Sequence, residues 1–291
     1  MSGCWAGGEA VRGLLHVQSL LPEYCNLPFL TNTPNIKNMA EKEAAALSHD
    51  AFVERMRNFV AKDPSPRNSR VSTHNSYPDR IEAAYQADRH TTWGYVIYRT
   101  TYENNADWTE FMRRLRVWAE DSMEFYNGQD VLDTMSWTIF DDKEHFDGVD
   151  TETIRNHFLH WIQSAVQFEQ PQQLDGTPAD MGSSPRYRYC IQVDTEALKS
   201  CVHDAPPPPN FDQDNQGWVK LIDKTWMSEW DSGEEDEGYD PIEGVTERHV
   251  GWVRCPFPSV MVEYYMRFLD LNGYMVEYRR PPAIIGFPWN T

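Results

Sequence analysis

The stretch TTWGYVIYRTTYENNADWTEFMRRLRVWAEDSMEFY, residues 91–126, contains the clearest strand-then-helix pattern in the chain. Residues 93–102 alternate β-branched and aromatic side chains between two sides, which is typical of a central strand covered on both faces. Asn104 or Asn105 then supplies an N-cap, and an apolar stripe at helical spacing follows. The stretch therefore predicts one strand and one long helix.

A second predicted strand, VLDTMSWTIF at residues 131–140, follows that helix. A strand, a helix and a strand in this order form a β-α-β unit, whose strands lie parallel and are joined by a right-handed crossover. The next helix is predicted to begin at Asp150 or Thr151. Residues 186–194 alternate as a strand with one solvent-exposed face.

Two segments in the C-terminal part share a Gly-Trp-Val-basic tetrapeptide, and we predict that they pair as a long hairpin. These are residues 217–226 and 247–255. A helix opened by prolines then follows, and residues 274–278 are the last predicted strand. The complete order predicts an α+β fold: a ferredoxin-like sandwich with an antiparallel sheet and helices on one face, enlarged by an extra helix and long loops. A closed dimeric α+β barrel is the nearest variant.

The predicted organisation is one main domain with additions at its N-terminal side. Its segments are a poorly structured extension (1–47), a helical lead-in (48–90), the first β-α-β unit with a helix and a strand (91–204), a proline-rich linker (205–216), and the hairpin, helix and last strand that complete the same domain (217–291). The residues from Met39 onward resemble the N-terminal sequence of an ordinary soluble protein, so either Met1 or Met39 is the initiator.

The amino-acid composition limits the kinds of partner that this acidic, aromatic-rich chain can bind. The 45 Asp and Glu residues outnumber the 26 Lys and Arg residues, for a formal net charge of −19. Such a field opposes binding to nucleic acid or to an anionic membrane. No apolar run approaches the ~18 residues of a membrane span. We therefore predict neither a nucleic-acid nor a membrane partner.

The five cysteines, at positions 4, 25, 190, 201 and 255, are widely spaced. An odd number without a close CxxC pair indicates neither a disulfide framework nor a zinc site. Free thiols suit a reducing compartment, so the predicted location is cytoplasmic.

Two blocks carry a family resemblance: TTWGYVIYRTTYENNADWTEFMRRLR at residues 91–116 and FYNGQDVLDTMSWTIFDDKEHFDG at residues 125–148. They resemble a large family of uncharacterised filamentous-fungal proteins, over roughly residues 89–288. The resemblance implies a fungal, intracellular origin. It brings no reaction, cofactor or catalytic residue with it.

The densest polar cluster is DDKEHFD at residues 141–147, which Asp150 follows. Its carboxylates and imidazole are groups that bind a divalent cation or transfer protons. The competing interpretation is a solvated loop with a helix cap, because the order and glycine of a calcium loop are missing. His145 together with His157 and His160 is a candidate metal site, although no zinc signature is present. We predict no metal and no cofactor.

Arg99 interrupts a strand that is otherwise suited to burial. A buried guanidinium needs an anionic partner, so Arg99 either forms a structural ion pair or contacts an anionic ligand in a polar pocket. The aromatic residues Tyr95, Tyr98, Trp137, Tyr187 and Tyr189 either line a ligand pocket on the sheet or fill the core. With Arg99 and His145, they are the candidate ligand-binding residues.

Standard catalytic signatures such as GxSxG, the P-loop and the dinucleotide fingerprint are missing from the sequence. The first functional hypothesis is a non-catalytic binding or interaction module with an unknown protein or small-molecule partner. The alternative is a small-molecule enzyme of the secondary-metabolite type, of ferredoxin-like or dimeric α+β-barrel architecture, with an aromatic-lined pocket. A metal-dependent enzyme is a third hypothesis, and no catalytic residue is assigned.

Overall fold

A computed structural model describes residues 62–170, 178–227 and 238–286, together with the single positions Glu54, Asn58, Val60 and Gly176. The predicted extension at residues 1–47 and most of the helix predicted after residue 48 lie outside the described residues. The chain divides into two compact units, Met1–Asn75 and Ser76–Thr291. None of the helices in the described ranges is long and apolar enough to cross a membrane.

Within the first unit, residues 63–75 form a short turn. Pro64 and Ser72 form an antiparallel bridge, and the Ser65 amide donates to the Val71 carbonyl at 2.9 Å. A 3-10 turn at Thr73–Asn75 ends it.

The second unit is built on a five-stranded sheet. Its strands are β1 (Val96–Arg99), β2 (Ile139–Phe140), β3 (Tyr189–Val193), β4 (Trp218–Asp223) and β5 (Trp252–Pro256). They lie in the order β2-β1-β3-β4-β5. β1 pairs parallel with β2 and β3, whereas β4 pairs antiparallel with β3 and β5. The sheet is therefore mixed.

The α-helices of this unit are α1 (Tyr77–Ala87), α2 (Asn105–Glu124), α3 (Gln129–Leu132), α4 (Lys143–Phe146), α5 (Thr151–Glu169), α6 (Thr195–Lys199), α7 (Tyr265–Arg267) and α8 (Gly273–Glu277). Short 3-10 turns lie at Pro185–Tyr187 and Phe257–Ser259, and π-helical turns at Ser200–Asp204 and Val260–Tyr264. The α+β class is confirmed.

The predicted β-α-β unit is present, with β1, α2 and β2 as its parts. The Asn104 side chain caps α2 by accepting from the amides of Ala106 and Asp107 at 2.9 and 3.3 Å. The second strand is much shorter than predicted, because the chain makes another helical turn first. The amides of Val131 and Leu132 donate to the Gly128 carbonyl at 3.1 and 3.0 Å, which places them in α3.

Helical segments cover both faces of the sheet. On one face, Val96, Cys190 and Ile222 pack with residues of α5 in a single apolar cluster. Strand alternation places Tyr95 on the opposite face, where its ring lies 5.1 Å from the Tyr265 ring of α7. The prediction of an antiparallel sheet with helices on one face is therefore wrong. A strand with large apolar side chains on both sides needs cover on both sides.

Two further local predictions are wrong. β3 has no solvent-exposed face, since all five of its residues are buried. Residues 274–278 do not form a strand but largely belong to α8. The edge of β5 is instead contacted by residues that follow: Arg254 forms a parallel bridge with Ile284, and the Ile285 amide donates to the Arg254 carbonyl at 2.9 Å.

Candidate ligand-binding cleft

A cleft of about 510 Å³ opens at the carboxyl ends of the parallel strands β1 and β3. Its walls come from the turn before α5, the start of α6, the inner face of β4 and β5, and the turn at residues 242–243. In sheets of this kind, ligands bind outside the carboxyl ends of parallel strands. Its size lies within the usual range of small-molecule sites.

The floor of the cleft is a row of three polar side chains across neighbouring strands. Gln192 of β3 is in register with Lys220 of β4, and Lys220 is in register with Arg254 of β5. Residues in register point to the same face of a sheet. The neighbouring row on this face is apolar, with Cys190, Ile222 and Trp252. The polar row therefore marks where the core ends and the cleft begins.

Lys220 is the central residue of this row and is only 8% exposed. Its Nζ lies 3.0 Å from Asp194 Oδ2 and 2.7 Å from Glu243 Oε1, and 4.6 Å from the centre of the Trp252 ring. Burial alone would lower the pKa of Lys220, but the two carboxylates outweigh it and hold the pKa above its usual value. Lys220 is therefore an ammonium at neutral pH.

Gln192, the neighbour of Lys220 in this row, forms hydrogen bonds around the start of α5. Its Nε2 donates to Thr100 Oγ1 at 3.3 Å and to the Val149 carbonyl at 3.2 Å. The Thr151 hydroxyl lies 3.0 Å from both Gln192 Oε1 and Glu243 Oε1, so these two oxygens share one donor. We call Lys220, Asp194, Glu243 and Thr151 the Lys220 cluster.

Arg254 lies next to the Lys220 cluster at the outer edge of the sheet. Its guanidinium covers the Trp218 ring at 3.9 Å and pairs with Glu196 at 3.2 Å. Like charges directly opposite each other on antiparallel strands destabilise a sheet. Lys220 and Arg254 are such a pair, and each is compensated by carboxylates from outside the two strands.

Arg99, the first of the predicted candidates, forms a structural contact at the opposite side of β1. Its Nη1 lies 3.3 Å from Asp141 Oδ1, and its Nη2 donates to Asn105 Oδ1 at 2.6 Å. The guanidinium also covers the rings of Tyr102 and Trp108 at 4.4 and 5.1 Å. Arg99 does not line the cleft.

The predicted histidine candidates do not meet at one point. His145 is exposed and pairs with Asp142 at 2.9 Å within its own turn. His157 Nδ1 instead lies 2.9 Å from the Tyr98 hydroxyl, and burial lowers the pKa of His157. Within the described ranges, no three His, Cys, Asp or Glu side chains are placed to hold a metal ion.

The predicted aromatic candidates pack against other protein side chains. Tyr98 stacks on Phe140 at 4.8 Å, and Tyr189 stacks on Tyr274 at 5.1 Å. The Tyr187 hydroxyl donates to Glu169 Oε2 at 2.9 Å. Tyr95 is fully buried beside Tyr265. These four tyrosines belong to the core.

Trp137, the remaining aromatic candidate, lies 5.4 Å below the Arg116 guanidinium and is also not part of the cleft.

The residues of the cleft were missed by sequence reasoning, although one signal pointed to them. The two Gly-Trp-Val-basic tetrapeptides place Lys220 and Arg254 at matching positions of the two hairpin strands. By itself, the repeat predicts only the pairing of the two strands.

Comparison with known proteins adds no relative. No protein-family model matches the chain, and neither the curated proteins nor the solved structures contain a match. What the protein does must therefore be inferred from the geometry of the cleft.

Proposed function

We propose that this protein is a non-catalytic binding protein that holds a small polar ligand in the strand-end cleft. The observation that carries the proposal is Lys220, a buried cation at the floor of an open cleft. Lysine is rarely buried unless it is paired. Placing it under a cleft gives a ligand a fixed charge and hydrogen-bond donors.

The charge state of Lys220 favours binding over catalysis. A lysine that acts as a nucleophile or base needs a lowered pKa. Here Asp194 and Glu243 hold the pKa of Lys220 above its usual value in spite of burial. The ammonium is thus suited to recognising a ligand and unsuited to attacking one.

The alternative function is a small-molecule enzyme with ferredoxin-like or dimeric-barrel architecture and an aromatic-lined pocket. It requires the strand aromatics to surround a cavity. Because Tyr95, Tyr98, Tyr187 and Tyr189 are buried in the core, the geometry gives more support to the binding proposal.

An intracellular location and membership of the fungal family remain part of the proposal. The described cysteines Cys190, Cys201 and Cys255 are free and buried, which suits a reducing compartment.

The proposal is tested on the full chain with a panel of small carboxylates, phosphates, amines, amino acids and sugars. Binding is measured from two-dimensional NMR shifts of the Trp252 indole and the Gln192 side-chain amide, and from thermal unfolding. The matched variants are Lys220→Met, in the cleft, and Lys199→Met, which removes the same charge from an exposed position outside it.

We expect at least one compound class to shift the cleft signals in the wild type and in Lys199→Met but not in Lys220→Met, with the compound recovered unchanged. If no class shifts these signals, the binding proposal is wrong. Conversion of a compound by the wild type but not by Lys220→Met would replace binding with catalysis.

A further inference from the structure

The two carboxylates that neutralise Lys220 differ in how they are held. Asp194 directly follows β3, and its Oδ1 also accepts from the Ala197 amide at 2.9 Å as the N-cap of α6. Asp194 is therefore part of the framework of the sheet. Glu243 reaches Lys220 from a turn at the rim, and its side chain is 35% exposed.

Glu243 adopts a backbone conformation that its side chain disfavours. The backbone groups of Ile242 and Val245 exchange hydrogen bonds at 3.0 and 2.9 Å, which closes a two-residue turn. Within it, Glu243 has φ of 51° and Gly244 has φ of 84°. Such turns favour Asn or Gly at these positions, because the left-handed conformation is disfavoured for a residue with a Cβ such as Glu. Local turn geometry thus does not explain why glutamate stands here.

The contacts of the Glu243 carboxylate do explain it. One oxygen, Oε1, lies 2.7 Å from Lys220 Nζ and 3.0 Å from Thr151 Oγ1. Thr151 is the first residue of the 19-residue helix α5, and the N-terminus of a helix attracts negative charge. An ammonium and a hydroxyl at the N-terminus of a helix therefore converge on one carboxylate oxygen.

These two groups would recognise any oxyanion of similar size. The Glu243 carboxylate lies at the cleft wall beside Lys220, and its side chain is partly exposed, which leaves it room to turn away from Lys220 and Thr151. A neutral ligand in its place would leave Lys220 paired with Asp194 alone. An anionic group would keep a second charge-assisted contact with the ammonium.

We infer that the Glu243 carboxylate occupies the anchor for the anionic group of the ligand, a carboxylate or a phosphate, and that the ligand takes its place on Lys220 and Thr151. This inference rests on the proposed function, and it adds the chemical class of the ligand. Glu243 then acts as a built-in competitor, which lowers the affinity for small anions in the free protein.

The test uses acetate and inorganic phosphate as probes, at constant ionic strength set with sodium chloride. Affinity is measured on the full chain from the NMR shift of the Trp252 indole. The key variant is Glu243→Asn, because Asn tolerates the left-handed conformation and its side chain is neutral and shorter by one methylene. Glu243→Gly is a second variant with the same purpose. Glu144→Asn removes one negative charge from an exposed position away from the cleft and is the matched control.

We expect Glu243→Asn and Glu243→Gly to bind one or both probes about tenfold more tightly than the wild type, as removal of a competing charged contact predicts. Glu144→Asn should retain the wild-type affinity. Adding Lys220→Met to Glu243→Asn should abolish the gain. Whichever probe gains more identifies the ligand group as a carboxylate or a phosphate.

Equal affinities in the wild type and both Glu243 variants would overturn the inference, as would a gain that survives Lys220→Met. If these probes show no gain while other compounds of the panel still shift the cleft signals, the proposed binding function stands and the Glu243 anchor is wrong. If no compound shifts the cleft signals in any variant, both proposals fail.

Discussion

Two buried cations lie at opposite ends of the parallel strands, and they differ in how their partners are held in place. Arg186 lies just before β3, at the amino ends of β1 and β3, and is fully buried. Lys220 lies at the floor of the cleft at their carboxyl ends. Both cations pair with carboxylates, and the carboxylates raise the pKa of each cation against the opposing effect of burial. They differ in the origin of their partners.

The partners of Arg186 are all fixed by the core of the fold. Its Nε and Nη2 donate to the two oxygens of Glu169 at 2.8 and 2.6 Å, and its Nη1 donates to the Gly94 carbonyl at 2.7 Å. Nη2 also donates to Thr138 Oγ1 at 2.6 Å. We call these residues the Arg186 cluster. A guanidinium with planar, matched acceptors holds the end of α5 against the strands.

The Lys220 cluster contains one partner that is not fixed in this way. Asp194 belongs to the framework, but Glu243 comes from a rim turn in a disfavoured conformation. The two cations are similarly buried, but their clusters have different roles. The Arg186 cluster stabilises the fold, whereas the Lys220 cluster can exchange one anion for another.

Replacing Arg186 should have the largest effect on stability. Arg186→Met leaves the Glu169 carboxylate, which is 22% exposed, without its cation. Removing one partner of a buried pair costs about 3–5 kcal/mol, so the free energy of unfolding in urea should fall by that amount. Arg113→Met is the control, because Arg113 makes an exposed pair with Glu110 and should cost less than about 1 kcal/mol. Equal urea midpoints for the two variants would show that the Arg186 cluster does not stabilise the fold.

Local signals explain which parts of the fold were predictable. The caps Asn104 and Asp150 mark the starts of α2 and α5, and apolar stripes mark their buried sides. The matching tetrapeptides marked the β4–β5 hairpin. Each of these features depends on residues that are close in sequence or obviously paired.

The cleft could not be predicted in the same way. Lys220 lies in the strand WVKLID, where a single lysine indicates an outward-facing position. Its burial depends on Asp194, which directly follows β3, and on Glu243, 23 residues away in a turn. A pairing between such distant residues has no local sequence signature. For the same reason, the alternation of residues 186–194 places Arg186 on the face predicted to be exposed, whereas its side chain is fully buried.

Acid should destabilise the protein through His249, which belongs to neither cluster. Its ring stacks on Tyr278 at 4.1 Å, and its Nδ1 accepts from the Gly251 amide at 3.2 Å. Burial lowers the pKa of His249 to about 4, whereas a histidine in the unfolded chain has a pKa of about 6.5. Between these values the unfolded chain binds the extra proton, so stability falls as the pH falls from 6.5 to 4, by about 2–3 kcal/mol.

The measurement is urea unfolding at several pH values, with an NMR titration of His249. His249→Asn keeps an acceptor but cannot titrate, and its stability should change less over this pH range. If both proteins lose stability equally, the acid sensitivity comes from other groups. With the variant, the two clusters can be compared at low pH without the contribution of His249.

Replacing Lys220 should cost less than replacing Arg186. Lys220→Met leaves Asp194 and Glu243 close together, but both carboxylates can turn toward water in the cleft. We expect a loss of about 2 kcal/mol in the free energy of unfolding, compared with about 0.5 kcal/mol or less for the exposed Lys199→Met. A loss as large as that of Arg186→Met would remove the distinction between the clusters.

The contribution of Lys220 should also have its own pH range. Its pKa is raised in the folded state, so its contribution is complete below the unfolded value of about 10.4 and is lost as the pH rises through the folded pKa. The difference in stability between the wild type and Lys220→Met should therefore be constant near neutral pH and shrink in alkali.

Glu243 should contribute least to stability, because two effects oppose each other. Glu243→Gly removes a partly exposed ion pair, which costs about 0.5–1 kcal/mol. It also places at φ of 51° a residue without a Cβ, which recovers about 1 kcal/mol. The net change in the free energy of unfolding should thus lie within about 1 kcal/mol of zero.

Glu243→Ala separates these two effects, since Ala loses the same ion pair but keeps the disfavoured backbone conformation. We expect Glu243→Ala to be less stable than Glu243→Gly by about 1 kcal/mol. If the two variants are equally stable, the left-handed conformation of Glu243 is not strained. If Glu243→Gly is as unstable as Arg186→Met, then Glu243 is a structural partner like Glu169. If Glu243→Gly lowers the free energy of unfolding slightly and Glu243→Ala lowers it more, the fold keeps a strained glutamate that it does not need for stability. This result is expected if the role of Glu243 is its contact with Lys220.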